Sequence, residues 1–133
     1  MIEESQKRKV LLIDDDKFLL DMYGMKFTQQ GYEVHASLSV RDAIEALRAG
    51  FSPTAILFDL IMPERDGFSL LETLEKEHLA PDALKIGLTN ETSDVEKEQA
   101  KKLGADAYFI KATLIPSEVV NMVGDELIKR NKA

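Results

Sequence analysis

The sequence predicts an α/β fold in which a five-stranded parallel sheet carries helices on both faces. Along the 133 residues, five short apolar segments alternate strictly with five segments of helical periodicity, which is typical of repeated βα units. Two of the apolar segments, Val10–Ile13 and Thr54–Phe58, are almost continuously apolar, as expected for strands covered on both faces. The length suits one domain with a substantial core.

The first βα unit has clear start and stop signals. We expect a polar tail over residues 1–8, then a strand that begins near Lys9. Asp16 has the residue type and position of an N-cap for a helix that runs to about Gln30, and Gly31 is its stop signal. This helix carries four apolar residues on one face: Phe18, Leu19, Met22 and Met25.

The second and third units follow the same pattern. Tyr32–Ser37 predicts a short strand, and Ser39 predicts the N-cap of a helix that Gly50 closes. Thr54–Phe58 predicts the third strand, which ends in the carboxylate of Asp59. The second helix has its apolar residues at i, i+3, i+4 and i+7: Val40, Ala43, Ile44 and Leu47.

The remaining units complete the alternation. The predicted elements are a third helix over about Phe68–His78, a fourth strand over Leu84–Thr89, a fifth strand over Ala107–Ile110 and a last helix from about Pro116. The last helix places four apolar residues at helical spacing: Val119, Val120, Val123 and Leu127. The fourth helix, with Ser93 and Glu96 at capping-box spacing, has few apolar residues, so we expect it to be loosely attached.

Composition excludes several classes of function. The formal net charge of −7 argues against direct nucleic-acid binding, because phosphate backbones repel an acidic surface. The chain has no cysteine, which excludes disulfides, cysteine-ligated zinc and a thiol nucleophile. No apolar run approaches the roughly 18 residues of a membrane span, and the first residues lack the apolar stretch of a signal peptide. We therefore expect a soluble cytoplasmic protein without a membrane partner.

Polar residues stand where the predicted strands end. Asp14 and Asp15 follow the first strand, Asp59 the third, Thr89 the fourth and Lys111 the fifth. Because parallel strands end at one edge of the sheet, these side chains should meet there. Carboxylates suit a hard cation such as Mg²⁺, and Lys and Thr suit the oxygens of a phosphoryl group. One carboxylate can then be the nucleophile that forms an aspartyl phosphate.

Each of these residues, taken alone, has an ordinary structural explanation. An Asp after a strand is often a loop or cap residue, Thr is common in strands, and a single Lys is usually a solvated charge. Their joint placement at four strand ends favours a functional site over four coincidences.

The same residues resemble the receiver domains of two-component response regulators, over about residues 8–130. Ile13-Asp14-Asp15 is similar to the family's strand that ends in an acidic pair. The segment from Asp59 to Gly67 matches the family pattern Asp-x-x-Met-Pro-x-x-Asp-Gly, and Thr89 and Lys111 match its strand-four Thr and strand-five Lys. The spacing resembles that of single-domain chemotaxis-type regulators. The resemblance implies a flavodoxin-like (βα)5 fold with strand order 2-1-3-4-5 and a stand-alone receiver domain over residues 9–132.

The resemblance also implies a mechanism. Asp59 would accept a phosphoryl group from a histidine kinase or a phosphotransfer protein. Asp15, Asp59 and the backbone carbonyl of Ile61 would ligate Mg²⁺, with Asp14 acting mostly through water. Lys111 would pair with the acceptor carboxylate and then with the phosphoryl oxygens. Such a domain is a signalling module that assists its own phosphorylation and dephosphorylation, not an enzyme.

A conformational switch is implied as well. Thr89 would move to the phosphoryl group, and Tyr108, at the position of the family's aromatic switch, would turn inward behind it. The alternative for Tyr108 is an ordinary strand aromatic packed on the fourth helix. The switch would alter the face of helix four, strand five and helix five, where an unknown protein target or a second copy binds. We therefore expect a monomer or a phosphorylation-dependent dimer.

Two positions, Ala112 and Asn90, depart from the family pattern. Ala112 replaces the usual Pro after the Lys, and since a cis bond before a non-proline residue costs about 2.5–4 kcal/mol, it favours a trans bond. Asn90 is larger than the usual residue after the Thr, so crowding of the phosphoryl site is expected. Ile61 and Glu91 flank the expected path of the hydrolytic water, and an aliphatic Ile61 predicts a long-lived phosphoryl group.

Two other functions remain open on these residues. Asp14-Asp15-Asp16 also satisfies the Asp-x-Asp signature of haloacid dehalogenase-type phosphatases, although no acidic pair follows Lys111 at a strand end. A binding module that keeps the fold but does not switch would fit the departures at Asn90 and Ala112. Steady turnover of a phosphomonoester would indicate the phosphatase.

Overall fold

The computed structural model describes residues 7–62, 64–90 and 94–130. It has five strands: β1 (Lys9–Ile13), β2 (Glu33–Ser37), β3 (Ala55–Asp59), β4 (Leu84–Thr89) and β5 (Ala107–Ile110). Its helices are α1 (Lys17–Gln29), α2 (Val40–Arg48), α3 (Gly67–Glu77), α4 (Asp94–Lys102) and α5 (Pro116–Lys129). The strict β–α alternation is confirmed, and the predicted ends differ by one or two residues, which is ordinary for helix and strand termini.

The five strands form one sheet in the order β2-β1-β3-β4-β5, and every neighbouring pair is parallel. The predicted α/β class and strand order are therefore correct. Since the strands are parallel, their carboxyl ends meet at one edge of the sheet, with β1 and β3 adjacent at its centre. Asp14 and Asp59 are brought to neighbouring positions in this way.

The sheet separates two hydrophobic clusters, because successive side chains of each strand point to opposite faces. On one face, Val10 and Leu12 pack with α1 and α5. On the other, Leu11 and Ile13 pack with α2 and α3. The predicted apolar positions of α2 and α5 are all buried, among them Ile44. The central strands are covered on both faces, as their continuous apolar sequences predicted.

Helix α1 buries a different face from the one that carries Phe18, Met22 and Met25. Its buried residues are Leu20, Tyr23 and Phe27, whereas Phe18 is 76% and Met25 59% exposed. The helix has two apolar stripes, and contact with β1 and α5 selects the stripe that begins at Leu20. Phe18, Met22 and Met25 form an exposed apolar stripe instead, whereas Leu19, the fourth residue of the predicted face, packs partly buried against the core.

Side-chain caps hold several helix ends where the sequence predicted them. The Asp16 carboxylate accepts from the backbone N–H of Leu19 at 3.1 Å, and the Ser39 hydroxyl accepts from that of Asp42 at 3.2 Å. Ser93, the predicted cap of α4, lies outside the described residues. Helix α4 buries Ala100 alone among its described residues, which agrees with the loose attachment predicted from its composition. In the described part of the chain, no helix has the length and apolarity needed to cross a membrane.

Candidate functional site

Three carboxylates meet at the carboxyl edge of the sheet. Asp14 and Asp15 follow β1 and Asp59 ends β3, and one oxygen of each lies within 4.8 Å of the others. Asp14 and Asp59 are buried, with 2% and 7% of their surfaces exposed, whereas Asp15 is open to solvent. Burial makes their mutual repulsion costly, so the cluster requires a compensating positive charge.

Lys111 supplies part of that charge. It follows β5 and begins a single 3-10 turn, Lys111–Thr113, which directs its amine back over the sheet edge. Its Nζ donates to Asp14 Oδ2 at 2.8 Å and to Asp59 Oδ2 at 3.1 Å. The described residues contain no cis peptide bond, in agreement with the trans bond favoured by Ala112. One ammonium facing three carboxylates leaves the site with a net negative charge.

The carboxylate of Asp14 accepts shorter hydrogen bonds than that of Asp59. Its Oδ1 accepts from the backbone N–H of Asp16 at 3.0 Å while its Oδ2 accepts from Lys111. Its own N–H donates to the carbonyl of Ser37 on β2 at 3.2 Å. The family resemblance implies contact of Lys111 with the acceptor carboxylate, whereas in the structure Asp14 is its closer partner. Because the two hydrogen bonds that Asp14 accepts are shorter than the 3.3 and 3.1 Å bonds that Asp59 accepts, Asp14 is less available for direct contact with a cation than Asp59 or the exposed Asp15.

The loop after β3 holds Asp59 through backbone contacts. Asp59 Oδ1 accepts from the N–H of Ile61 at 3.3 Å, and the N–H of Gly67 donates to the carbonyl of Leu60 at 3.0 Å. A Cβ at Gly67 would lie 2.8 Å from the Asp59 carbonyl oxygen, so only glycine allows α3 to begin this close to β3. Asp66 caps α3 through the N–H of Ser69 at 3.0 Å. Pro63 lies outside the described residues.

Burial and neighbouring charges shift the pKa values of the ionisable groups at the site. It raises the pKa of Asp59; the Lys111 ammonium lowers that pKa in part, and the Asp14 carboxylate raises it further. Burial by itself would lower the pKa of Lys111, but its hydrogen bond and charge interaction with Asp14, together with those of Asp59, outweigh this and raise it. Burial also raises the pKa of Tyr23, which lies on α1 within the field of the same charges. Asp59 is therefore an unusually basic carboxylate.

The raised pKa of Asp59 predicts a pH-dependent effect of Asp59→Asn in metal-free buffer. Between the ordinary carboxyl pKa and the raised one, the folded state binds more protons than the unfolded state, so Asp59 lowers stability as pH rises. We expect Asp59→Asn to increase the free energy of unfolding at pH 7 and to have little effect near pH 4. Denaturant unfolding with EDTA at both values measures this. The control is Asp125→Asn on the exposed face of α5; a gain of the same size at both pH values would contradict the prediction.

Thr89 follows Leu88, the β4 partner of Asp59, and Tyr108 lies on the adjacent strand β5. Thr89 ends β4 and is 1% exposed, opposite Ile110 of β5. Tyr108 pairs with Gly87 and packs, partly buried, against the cluster that includes Ala100 of α4. This position is compatible with both sequence interpretations of Tyr108. The side chain of Asn90 is exposed, which gives no support to the expected crowding, and Glu91 lies outside the described residues.

The donor set fits a hard divalent cation. All three acidic groups offer carboxylate oxygen, and no cysteine occurs in the chain to favour a softer metal. The Lys111 ammonium compensates only part of the negative charge of the three carboxylates, and this also favours binding of one further cation. Of the predicted ligands, Asp15 and Asp59 have the most freedom to bind it directly, and Asp14 lies beside them.

Comparison with known proteins agrees with this geometry. The family model for the response regulator receiver domain matches residues 10–123. A CheY-like receiver domain from Methanospirillum hungatei JF-1 is 27% identical, with a TM-score of 0.83 over 95% of this chain and 98% of that one. Chemotaxis protein CheY4 of Vibrio cholerae is 27% identical, with a TM-score of 0.80 over 90% and 98%. The receiver domain of Francisella response regulator 1452 is 29% identical, with a TM-score of 0.80 over 94% and 99%. The chain therefore belongs to the response regulator receiver domain family of two-component signalling.

Proposed function

We propose that this receiver domain accepts a phosphoryl group on Asp59 from a histidine kinase or a histidine phosphotransfer protein, with Mg²⁺ as cofactor. The observation that carries the proposal is the position of Asp59, which lies 3.1 Å from the Lys111 ammonium and has a carboxylate oxygen within 4.8 Å of oxygens of Asp14 and Asp15. Its burial makes it more basic than an ordinary carboxylate, and a more basic carboxylate is a better nucleophile. Asp14 is a poorer candidate because its oxygens accept shorter hydrogen bonds, at 3.0 and 2.8 Å, than those of Asp59, at 3.3 and 3.1 Å.

The transfer is a nucleophilic substitution at phosphorus, in which the carboxylate of Asp59 displaces the imidazole of the phosphohistidine. An oxygen of Asp59 forms the new O–P bond while the P–N bond of the phosphohistidine breaks, and the electron pair leaves with the imidazole nitrogen. Lys111 lies 3.1 Å from Asp59 Oδ2, where its N–H donors would meet the incoming phosphoryl oxygens. Mg²⁺ held by Asp15, Asp59 and the carbonyl of Ile61 would supply neutralisation of charge on those oxygens.

The direct test uses the wild-type chain with a small phosphodonor such as acetyl phosphate. We expect the intact mass to increase by one phosphoryl group when Mg²⁺ is present, and the gain to be lost when EDTA removes the metal. A stable adduct with a stoichiometry of one supports a receiver. Continuous release of phosphate with steady turnover would instead support the dehalogenase-type phosphatase, and no adduct would support the non-switching module.

The lifetime of the phosphoryl group is predicted to depend on Ile61. This side chain follows the acceptor by two residues and is 53% exposed, and the backbone N–H of the same residue donates to Asp59 Oδ1 at 3.3 Å, so an apolar side chain meets solvent close to the acceptor. An aliphatic group there cannot orient a water molecule for attack. We expect Ile61→Asn to shorten the lifetime several-fold, measured as loss of the adduct after removal of the phosphodonor. Ile61→Val is the matched control, and an unchanged or longer lifetime in Ile61→Asn would contradict the prediction.

The same proposal includes a switch at Thr89 and Tyr108 that changes the α4–β5–α5 face. Thr89 is buried at the end of β4, so a new contact with the phosphoryl group would shift it relative to the adjacent strand β5. Helix α4 resists such a shift weakly, because Ala100 is its single buried residue among those described. This face would bind the downstream protein or a second phosphorylated copy.

A further inference from the structure

A cleft lies at the opposite edge of the sheet from Asp59. It is formed by the last turn of α3, the start of β4 and the segment that follows α4, and its volume is about 170 Å³. Its apolar lining consists of Leu71, Leu74, Leu79, Pro81 and Leu103, and its polar groups come from the exposed Glu75 and His78 and from the partly buried Lys85. Because β4 runs from this cleft to Thr89, the cleft is separate from the acidic cluster.

The size of the cleft limits what it can hold. Engineered protein cavities of about 150 Å³ with aliphatic walls bind benzene. A cleft of about 170 Å³ that four leucines line therefore has room for one aromatic ring with a small substituent. A fused two-ring or larger molecule would extend into solvent.

The polar groups determine which substituent fits. Lys85 is partly buried, and its Nζ donates one N–H to the carbonyl of Ala83 at 3.1 Å. Glu75 contributes a carboxylate, and α3 and α4 end beside the cleft at Glu77 and Lys102. The carboxyl ends of helices carry partial negative charge. An anionic ligand would meet these acceptors and a cationic ligand would meet Lys85, whereas a neutral hydroxyl can both accept from the ammonium and donate to an oxygen.

The geometry points to a binding site for uncharged single-ring aromatic molecules that carry a hydroxyl group, the class represented by phenol. The ring lies against the leucines, and the hydroxyl lies among Lys85, Glu75 and the helix ends. Leu103 follows α4 directly, so an occupied cleft adds apolar contact at the end of a helix that buries Ala100 alone among its described residues. Occupancy therefore holds α4 more firmly.

The test is a two-dimensional ¹H–¹⁵N NMR titration of the full chain with phenol. We expect saturable shifts of the amides of Leu79, Lys85 and Gly104, a dissociation constant on the order of 1 mM as for other very small ligands, and slower amide exchange in α4. Benzoate and benzylamine should bind at least five-fold more weakly. Leu103→Phe, which fills the cleft, should weaken phenol binding at least ten-fold, while Leu38→Phe, on an exposed site outside the cleft, should not.

Three results would overturn this site: shifts that do not saturate, equal binding by Leu103→Phe, or equal affinity for the charged analogues. Spectra of the free variants establish that each is folded before titration. Asp59→Asn should bind phenol as the wild type does, because the cleft and the acidic cluster lie at opposite edges of the sheet. A negative result for phenol binding can therefore be distinguished from a negative result for phosphoryl transfer to Asp59.

Discussion

Asp59→Asn is expected to abolish covalent phosphorylation. The amide keeps the size of the carboxylate but cannot act as the nucleophile, and neither Asp14 nor Asp15 can replace it. Asp14 accepts shorter hydrogen bonds from Lys111 and the Asp16 N–H than Asp59 accepts from its own partners, and Asp15 is exposed and lacks the ammonium contact of Asp59. Intact-mass spectrometry after incubation with Mg²⁺ and acetyl phosphate should show the adduct in wild type and none in the variant.

Asp66→Asn is the matched control for this experiment. Asp66 stands in the same loop as Asp59 and caps α3 through the N–H of Ser69, a task that asparagine performs about as well. The control should therefore acquire one phosphoryl group as the wild type does. Equal labelling of Asp59→Asn and wild type would overturn the assignment of the acceptor.

Lys111→Met is expected to cause the largest loss of stability among substitutions at the site. The ammonium lies 2.8 Å from Asp14 and 3.1 Å from Asp59, and all three side chains are at most 10% exposed. Methionine keeps much of the volume but leaves two buried carboxylates without their counter-charge. Removing one partner of a buried ion pair costs about 3–5 kcal/mol, and we expect a loss near 3 kcal/mol at pH 7 without metal.

The pH dependence separates this cause from a packing defect. As pH falls through the raised pKa of Asp59, that carboxylate becomes neutral and no longer needs the ammonium, so the loss should shrink towards pH 4. Denaturant unfolding of both proteins in EDTA measures the difference, with Lys129→Met at the exposed end of α5 as control. A loss that is equal at pH 4 and pH 7 would show that the lysine acts through packing. No loss at pH 7 would contradict the prediction outright.

The fold class and the strand-end residues were predictable because they depend on local patterns. Alternating βα segments leave few alternatives to a parallel sheet, and parallel strands place their ends at one edge. Asp59, Thr89 and Lys111 could therefore be placed together before any distance was known. The roles inferred for them in phosphoryl transfer rest on the chemistry of the side chains and stay predictions.

The buried face of α1 was not predictable in the same way. Phe18, Met22 and Met25 form one apolar stripe, and Leu20 and Phe27 belong to another. A helical period identifies both stripes but does not say which one meets the sheet. That choice depends on how α1 is positioned by β1 and α5, which are distant in sequence from one another.

The sequence by itself determined the βα order, the helix caps at Asp16 and Ser39 and the residue types at the sheet edge, since each follows from short-range spacing and chemistry. The tertiary structure decided which charges are in contact. Lys111 lies closer to Asp14 than to Asp59, and Asp14 is oriented by the backbone of Asp16 and Ser37. These contacts depend on strand register and on the path of the chain after β5. Differences of a few tenths of an ångström in such positions are set by packing, which no linear pattern encodes.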